Sequence, residues 1–371
     1  MGECWPSQTI TPPLANLRAL PHRCILQKNN LNPSPSPPIQ HIRPPPTGDP
    51  GRRSPWDGWS GRAGKPGQTH PEQKRMDRPM KNVLIGCGQI TWRNVPEAQV
   101  LAEIAQAGYA GAPAGPHGGR SAQEALEEFS RHGLKPAPGY LGADFWNKEE
   151  EAQILERARA YARFAQAVGC TELYVAPGGF NSYVTRRGLT RMQVAGHVRP
   201  EDAMTDAEYE QFAQVLNQVG EITLNEGVYS CFHNHVGSVI ETREEIDRLL
   251  SMVDPNLIFL GPDTGHLAWG GADVVAFCRD YADRIKTMHI KDINPHVLEE
   301  GRRQEWDYMT FVQHGIFTEL GQGFVDFPAV FQILEEAGFQ GWLIVETDVT
   351  QLPTPLESAQ VSRAYLRSLG L

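Results

Sequence analysis

Short apolar runs and longer amphipathic stretches alternate along the chain from residue 81 to its end. Runs such as KNVLIGC and GWLIVETD have the length and the branched apolar residues that are typical of strands. The longer stretch VPEAQVLAEIAQAGY places Val100, Leu101, Ile104 and Ala105 at the spacing of one helix face. The pattern of hydrophobic and polar positions therefore predicts strands and helices in regular alternation.

Two of the predicted helices carry a recognisable first turn. Ser121 is followed three residues later by Glu124, and Thr205 is followed by Glu208. This spacing predicts a capping box, in which each side chain accepts a hydrogen bond from the other residue's backbone N–H. Gly133 and Gly169 stand where two helical patterns stop, as expected of a residue that adopts the left-handed conformation easily.

Counting a short strand near GYAGAPA, the sequence predicts about eight strand-then-helix units. Regular alternation implies parallel strands, because parallel neighbours need a crossover connection. Eight units in roughly this length favour a (β/α)₈ TIM barrel over an open doubly wound sheet. The nucleotide-binding patterns are missing: no GxGxxG follows the first strand, and the sequence contains no Walker A motif.

The first 79 residues have a different composition. They contain 16 of the 29 prolines, in stretches such as RPPPTGDPGRR, and proline cannot sustain a helix or a central strand. We therefore expect 1–79 to be a disordered Pro/Arg-rich extension and 80–371 to be a single TIM-barrel catalytic domain. Because Met76 and Met80 lie where the barrel pattern begins, an alternative is that 1–79 arises from an upstream start codon.

Charge and cysteine content narrow the class of protein. The formal charge is −10, but 1–79 carry 11 Lys and Arg against 5 Asp and Glu, so the remainder holds 23 against 39. An acidic body disfavours binding to nucleic acid. The longest apolar runs are too short to span a membrane. Six scattered cysteines without a CxxC pair indicate reduced thiols, so we expect a cytoplasmic protein.

The predicted strand KTMHIKD is unusual because polar residues interrupt it. Successive side chains of a strand point to opposite faces, so Thr287, His289 and Lys291 share one face and Met288 and Ile290 share the other. In a parallel barrel, residues at the carboxyl ends of strands face a polar mouth. We therefore expect His289 and Lys291 to lie at this mouth.

Four consecutive predicted strands end in residues that can bind a metal ion. SCFHNH supplies His233 and His235, IFLGPDTGH supplies Asp263 and His266, TMHIKD supplies His289 and LIVETD supplies Glu346. Each residue alone is more often a hydrogen-bonded core histidine, a helix cap or a solvated carboxylate, but four such ends on one rim favour a metal site. Imidazoles and carboxylates without a thiol suit Mn²⁺ or Co²⁺, and Zn²⁺ is also compatible.

These motifs resemble the xylose-isomerase-like TIM-barrel superfamily of sugar isomerases, epimerases and dehydratases, over residues 81–371. Within it, FHNHVGSVIETREEIDRLL, GPDTGHLAWGGAD, MHIKDINPHVL and GIFTELGQGFVDFPAVF are most similar to the inosose dehydratase branch. The resemblance implies that Asp263, His289 and Glu346 are metal ligands, with His233 at a position where relatives often have glutamate. Pro113 departs from the pattern, since many relatives have a glutamate after the second strand.

The resemblance implies a sugar or keto-polyol substrate, and the residues indicate compatible chemistry. A divalent ion can polarise a carbonyl while a nearby base removes the adjacent proton. His235 and Lys291 are candidate bases, since a neighbouring cation would lower the pKa of Lys291; an ion pair with Asp263 or Glu346 is the alternative for this lysine. His266 is expected to orient a ligand. The segment 293–324, with Trp306 and Phe317 as candidate substrate contacts, is expected to form a lid or a wall.

Three hypotheses about function remain open. The first is a metal-dependent inosose dehydratase-like lyase, with a sugar or sugar-phosphate isomerase or epimerase as the alternative on the same site. The second is an AP-endonuclease-like nuclease, which would need a cluster of several metals and a basic groove. The third is a sugar-binding barrel without catalytic activity, which the intact set of metal-capable residues disfavours. The sequence leaves the identity of the metal open, and it leaves open whether the chain forms a homo-oligomer.

Overall fold

The structure is a computed structural model that describes Met80 and residues 82–371, so the expectation for 1–79 lies outside the described residues. Its strands are β1 (Val83–Cys87), β2 (Gly111–Pro113), β3 (Lys135–Ala137), β4 (Tyr140–Ala143), β5 (Glu172–Pro177), β6 (Tyr229–Phe232), β7 (Ile258–Leu260), β8 (Met288–Ile290), β9 (Asp292–Ile293), β10 (Phe317–Thr318) and β11 (Gly341–Val345). Its α-helices are α1 (Glu97–Ala107), α2 (Ala122–Arg131), α3 (Glu151–Val168), α4 (Asp206–Asn225), α5 (Arg243–Met252), α6 (Thr264–Trp269), α7 (Val274–Tyr281), α8 (Pro295–Arg303), α9 (Tyr308–Gln313), α10 (Phe327–Glu336) and α11 (Pro355–Leu369).

Parallel strands at eight positions form the barrel. One sheet runs in the order β3-β2-β1-β11-β8 and another in the order β4-β5-β6-β7. The two sheets meet where β7 and β8 are joined by parallel bridges between Leu260 and Ile285 and between Asp263 and His289. They meet again at the third position, where β3 pairs with β2 and β4 pairs with β5. The predicted (β/α)₈ TIM barrel is confirmed.

The third barrel position is split into β3 and β4 by Pro138 and Gly139. Proline cannot donate a ladder hydrogen bond, so the strand is interrupted there. The carbonyl of Gly139 nevertheless accepts a hydrogen bond from the backbone N–H of Tyr174 at 3.0 Å. A Cβ atom at Gly139 would lie 2.4 Å from the carbonyl oxygen of Ala114, so only glycine allows this close approach of neighbouring strands.

The interior of the barrel is packed by a small apolar cluster that includes Tyr174, Trp342 and Ile344. The hydroxyl of Thr287 lies 2.7 Å from the Tyr174 hydroxyl, and the ring of His289 lies 4.2 Å from the Tyr174 ring. Met288 and Ile290 instead belong to the large core. The predicted alternation along KTMHIKD is therefore confirmed, with Thr287 and His289 facing inward.

The helices follow the predicted pattern, with additions. Both predicted capping boxes are present, and α3 ends at Gly169, whose φ is 82°. Helix α5 was not predicted, although Thr242 and Glu245 form a capping box at its start. Helices α8 and α9 were also not predicted, and they build the segment 293–324 together with β10, which pairs antiparallel with β9.

Two further observations bear on the class of protein. Among the residues that the structure describes, none of the helices combines the length and the hydrophobicity that a membrane span requires. The four described cysteines are buried and free, in agreement with the expectation of reduced thiols.

A long connection between β5 and α4 is attached to the barrel through Arg191, a fully buried residue. Its guanidinium group makes two 2.9 Å contacts with the carboxylate of Glu245, and it donates to the carbonyl oxygens of Ser238 and Asp202. Two parallel charge-assisted hydrogen bonds fix a guanidinium and a carboxylate in one geometry. Arg191 therefore holds this connection against the start of α5.

We expect Arg191→Ala to lower the free energy of unfolding by about 3–5 kcal/mol, because it leaves the buried Glu245 carboxylate without its partner. Arg163→Ala is the matched control, because Arg163 pairs with Glu226 but has 65% of its side chain exposed. The control should cost at most about 1 kcal/mol. Urea unfolding followed by circular dichroism measures both values, and equal losses would contradict this account of Arg191.

Candidate active site

The four predicted strand-end residues come together at the carboxyl ends of adjacent barrel strands. His233 follows β6, Asp263 follows β7, His289 lies in β8 and Glu346 follows β11. Ligand atoms of His233, Asp263 and His289 lie within 4.8 Å of one another, and His289 Nδ1 lies 3.1 Å from Glu346 Oε2. We call these four residues the strand-end cluster. The side chains of His233, Asp263 and His289 are buried, and that of Glu346 is 14% exposed.

His233 is oriented by a hydrogen bond to the backbone. Its Nδ1 lies 2.9 Å from the carbonyl oxygen of Gly261. Because a carbonyl can only accept, Nδ1 carries the proton and Nε2 keeps its lone pair. Burial and the neighbouring His289 hold the pKa of His233 well below its ordinary value. His233 is therefore a neutral imidazole with one nitrogen available for a ligand.

His289 is the central member of the cluster. Its Nδ1 lies 3.1 Å from Glu346 Oε2 and 3.9 Å from Asp263 Oδ2. Its buried Nε2 makes no hydrogen bond within the part of the chain that the structure describes. An unpaired buried polar atom costs about 1–3 kcal/mol, so this nitrogen fits a site that takes a ligand.

Asp263 is held by its neighbours on two sides. The amide of Asn234 accepts from the Asp263 backbone N–H at 3.0 Å and donates to the Asp263 carbonyl at 3.3 Å. Asp263 Oδ1 caps α6 by accepting from the backbone N–H of His266 at 2.9 Å. The helix-cap alternative for Asp263 is thus correct, yet the second carboxylate oxygen still faces the cluster. Burial raises the pKa of Asp263.

Glu346 depends on a glycine for its position. A Cβ atom at Gly88 would lie 2.4 Å from Glu346 Oε1, so only glycine leaves room for this carboxylate. Burial alone would raise the pKa of Glu346, but His289 and Lys291 hold it well below its ordinary value. Glu346 is therefore an anion at neutral pH.

A second group of polar residues lies beside the strand-end cluster. His235, His266 and Asp348 bring ligand atoms to within 4.8 Å of one another. His235 Nδ1 lies 2.7 Å from the carbonyl oxygen of Val236, which leaves Nε2 as an acceptor. Burial, reinforced by the charge of Lys291, lowers the pKa of His235 to about 3. The His235 ring lies 3.7 Å from the ring of His266.

Lys291 is buried among carboxylates. Its Nζ lies 2.6 Å from Asp348 Oδ1, 3.1 Å from Asp263 Oδ2 and 3.3 Å from Glu346 Oε2. Burial would lower the pKa of Lys291, but these carboxylates raise it well above its ordinary value. The expectation of a lowered pKa is therefore corrected, because the nearest charges are anions. The ion-pair alternative describes Lys291, with Asp348 as an additional partner.

The two candidate substrate contacts lie in different places. Phe317 is buried, with its ring 6.1 Å from that of His266 and 5.3 Å from Lys291 Nζ. Trp306 stacks on His314 and lines a separate cavity of about 430 Å³. The four residues of the strand-end cluster do not line this cavity. The buried polar cluster at the strand ends, and not this cavity, is therefore the candidate site. Phe317 thus lies beside His266 and Lys291, and contact of either Phe317 or Trp306 with substrate stays a prediction.

Sequence reasoning missed three residues that shape the site. Asn234 lies between the two histidines of FHNH, and its role depends on a contact with the next strand. Asp348 was not among the predicted site residues, but its side chain is only 2% exposed and lies against Lys291 Nζ. Gln89 donates to the carbonyl of Pro113 at 2.8 Å, at the position where the sequence departs from its relatives. The signal available in the sequence was that each lies two or three residues after the end of a strand.

The strand-end cluster fits a divalent cation. With Asp263, Glu346 and Asp348 ionised, the Lys291 ammonium balances one of three buried negative charges. Two uncompensated buried charges are costly unless they are paired or coordinate a metal. Two imidazoles and two carboxylates also form the mixed donor set that suits Mn²⁺, Co²⁺ or Zn²⁺.

Comparison with known proteins identifies the family of this barrel. A family model described as xylose isomerase-like TIM barrel matches residues 101–369. Inosose dehydratase of Geobacillus kaustophilus (strain HTA426) is 32% identical over 305 residues, covering 79% of this chain and 97% of that protein. Inosose dehydratase of Klebsiella pneumoniae (strain MGH 78578) is 30% identical over 304 residues, covering 77% and 97%. The resemblance deduced from the motifs is confirmed.

A solved structure of an L-ribulose 3-epimerase superposes on the chain with a TM-score of 0.57, covering 78% of this chain and 95% of that one. Its sequence identity is 18%. This similarity shows that the two proteins share the barrel fold.

We expect Gly88→Ala to weaken binding of Mn²⁺ at least about tenfold, because the added methyl group displaces the Glu346 carboxylate. Gly86→Ala is the matched control, since its Cβ would crowd Ile344 in the apolar interior, two residues earlier on the same strand. Both variants should lose stability, but the control should keep its affinity. Isothermal titration with Mn²⁺ gives the comparison, and equal affinities would remove Gly88 from this role.

Proposed function

The chain belongs to the xylose isomerase-like TIM barrel family and is an enzyme of the dehydratase or isomerase kind, and from this premise we propose that it eliminates water from inosose (2-keto-myo-inositol) with the help of a divalent metal ion. The observation that carries the proposal is the convergence of four strand-end ligands beside a neutral histidine and a buried ammonium group. Curated relatives named inosose dehydratase support the choice of substrate.

His233, Asp263, His289 and Glu346 would hold the metal ion, with Mn²⁺ or Co²⁺ as our first choice. When bound, such an ion polarises a ketone oxygen and stabilises the negative charge that develops as the adjacent C–H proton leaves. The chain's own contribution is to keep Glu346 ionised, through His289 and Lys291, and to keep the imidazole of His233 neutral through burial.

His235 is the residue we assign to proton transfer. Its Nε2 can accept a proton because Nδ1 is committed to the carbonyl of Val236. A base with a pKa of about 3 is weak, so the substrate proton must first be made acidic by polarisation of the ketone. The same low pKa makes protonated His235 a strong acid. It therefore returns the proton to the departing β-hydroxyl group, which leaves as water.

Lys291 and His266 have supporting roles in this proposal. The Lys291 ammonium would donate a hydrogen bond to a substrate oxygen and remain charged, since three carboxylates surround it. His266 lies against the His235 ring and contacts Lys291 Nζ at 3.2 Å, so it positions both groups. Phe317 closes this side of the site with an apolar ring.

An isomerase or epimerase acting on sugars is the alternative, because the same ligands also serve reactions that move a proton without loss of water. Pro113 stands where many relatives have a glutamate, and its carbonyl accepts a hydrogen bond from Gln89. This difference in the loop after β2 favours keeping the alternative. The two reactions differ in their products, since elimination produces a conjugated product and epimerisation does not.

We expect Glu346→Gln to lose bound metal and activity while keeping the fold, because the substitution preserves shape but removes the negative charge. Glu299→Gln, which alters an exposed carboxylate on α8, is the control and should behave as the wild type. Metal analysis, turnover and circular dichroism on both variants test the prediction. Full metal occupancy with normal turnover in Glu346→Gln would remove this residue from the site.

We expect the Mn²⁺-loaded protein to convert inosose with a rise in near-ultraviolet absorbance, and a chelator should stop the rise. The physical reason is that elimination next to a ketone creates a conjugated chromophore. If the loaded protein leaves inosose untouched but interconverts simple ketoses, the dehydratase proposal fails and the isomerase alternative replaces it.

A further inference from the structure

The ammonium group of Lys291 lies within a second set of metal-capable side chains. Of the three members of this set, Asp348 contacts Nζ through Oδ1 at 2.6 Å and His266 contacts it through Nε2 at 3.2 Å. The third member, His235, lies against the ring of His266. Two oxygens of the strand-end cluster, Asp263 Oδ2 and Glu346 Oε2, complete the surroundings at 3.1 and 3.3 Å.

We propose that Lys291 takes the place of a second cation, so that the barrel mouth holds one metal ion and one fixed ammonium group, and that Asp348 is the positioning residue that keeps the ammonium there. The inference rests on the proposed function for the four metal ligands. To that function it adds the number of metal ions that the barrel mouth binds. It also gives a role to Asp348, a residue that the proposed reaction does not use.

The balance of charge supports one metal ion. Asp263, Glu346 and Asp348 contribute three negative charges when ionised, and the Lys291 ammonium compensates one of them. One divalent cation compensates the other two, which makes the buried group neutral. A second divalent cation beside the ammonium would leave an excess of positive charge in a site from which water is largely excluded, and that is costly.

Asp348 is the carboxylate that can stay with Lys291 when the metal is bound. Asp263 and Glu346 belong to the proposed ligand set, so their oxygens would be shared between the metal ion and Lys291. His266 is also shared, because its Nδ1 lies 3.4 Å from the backbone N–H of Val236 while its Nε2 faces Lys291. A neutral imidazole carries one proton and accepts at only one nitrogen. Asp348, at 2.6 Å and 2% exposed, is the partner independent of the proposed metal.

Thr264 and Gly265 also fix the course of the Lys291 side chain. The hydroxyl of Thr264 donates to the backbone carbonyl of Lys291 at 2.8 Å and accepts from its N–H at 2.9 Å. A Cβ atom at Gly265 would lie 2.7–3.0 Å from the Lys291 stem, so glycine is needed for the stem to pass. These two residues direct the ammonium toward Asp348.

The number of metal ions bound per chain tests whether Lys291 takes the place of a second cation. The full chain and its variants are loaded with Mn²⁺, freed of excess ion and measured for Mn²⁺ content and for electron paramagnetic resonance. We expect one ion in the wild type and two in Lys291→Met, with the spectrum of an exchange-coupled pair. Lys286→Met, which removes a partly exposed lysine before β8, should hold one ion.

Lys291→Gln provides a second variant in case the methionine variant does not fold, as judged by circular dichroism. A wild type with two ions, or folded Lys291 variants that still hold one, would overturn the second-cation role. A wild type without any ion would instead contradict the proposed ligand set, and with it the proposed function. The two failures are therefore distinguishable.

The role of Asp348 is tested by Asp348→Asn and Asp348→Glu. We expect Asp348→Asn to keep one Mn²⁺ per chain and a similar KM for inosose, while kcat falls about 10- to 100-fold. Asp348→Glu, which restores the charge, should regain part of kcat. An unchanged kcat in Asp348→Asn, or a loss of the metal together with kcat, would show that Asp348 is not a positioning residue for Lys291.

Discussion

The ion pairs of one buried ammonium group determine the arrangement of the barrel mouth. Lys291 is fully enclosed, and it contacts carboxylates that emerge from β7 and β11, on either side of its own strand. Without it, Asp263, Glu346 and Asp348 would place three like charges in a buried site with no compensating cation, which is strongly destabilising. Burial and the charge of Lys291 both lower the pKa of His235, burial being the larger cause. His289 and Lys291 together hold the pKa of Glu346 low. The chemistry of the neighbouring residues therefore depends on this charge.

The DTGH turn shows how one short motif serves this arrangement. Asp263 presents a carboxylate and caps α6, and Thr264 fixes the backbone of Lys291. Gly265 leaves space for the lysine stem, and His266 contacts its ammonium group. Each of the four residue types is thus required by a different physical constraint, and all four constraints concern the same pair of adjacent strands.

Local patterns in the sequence were sufficient to predict the barrel and the strand-end cluster. The alternation of Thr287, Met288, His289 and Ile290 determines which side chains face inward, and it can be read without knowing the neighbours. The role of Asp348 could not be predicted, because its contact with Lys291 exists only after β8 and β11 pair. The raised pKa of Lys291 was missed for the same reason, since it depends on carboxylates from other strands. Helix α5 could have been found, because Thr242 and Glu245 display the same capping pattern that identified α4.

The central claim is that four strand ends hold one metal ion next to a lysine that remains bound to Asp348. An anomalous difference map from crystals of the full chain grown with Mn²⁺ tests it most directly. The account predicts a single peak per chain, contacted by His233, Asp263, His289 and Glu346, with the Lys291 ammonium still against Asp348. A peak between His235, His266 and Asp348 with Lys291 turned away, or the lack of any peak near the strand-end cluster, would contradict it.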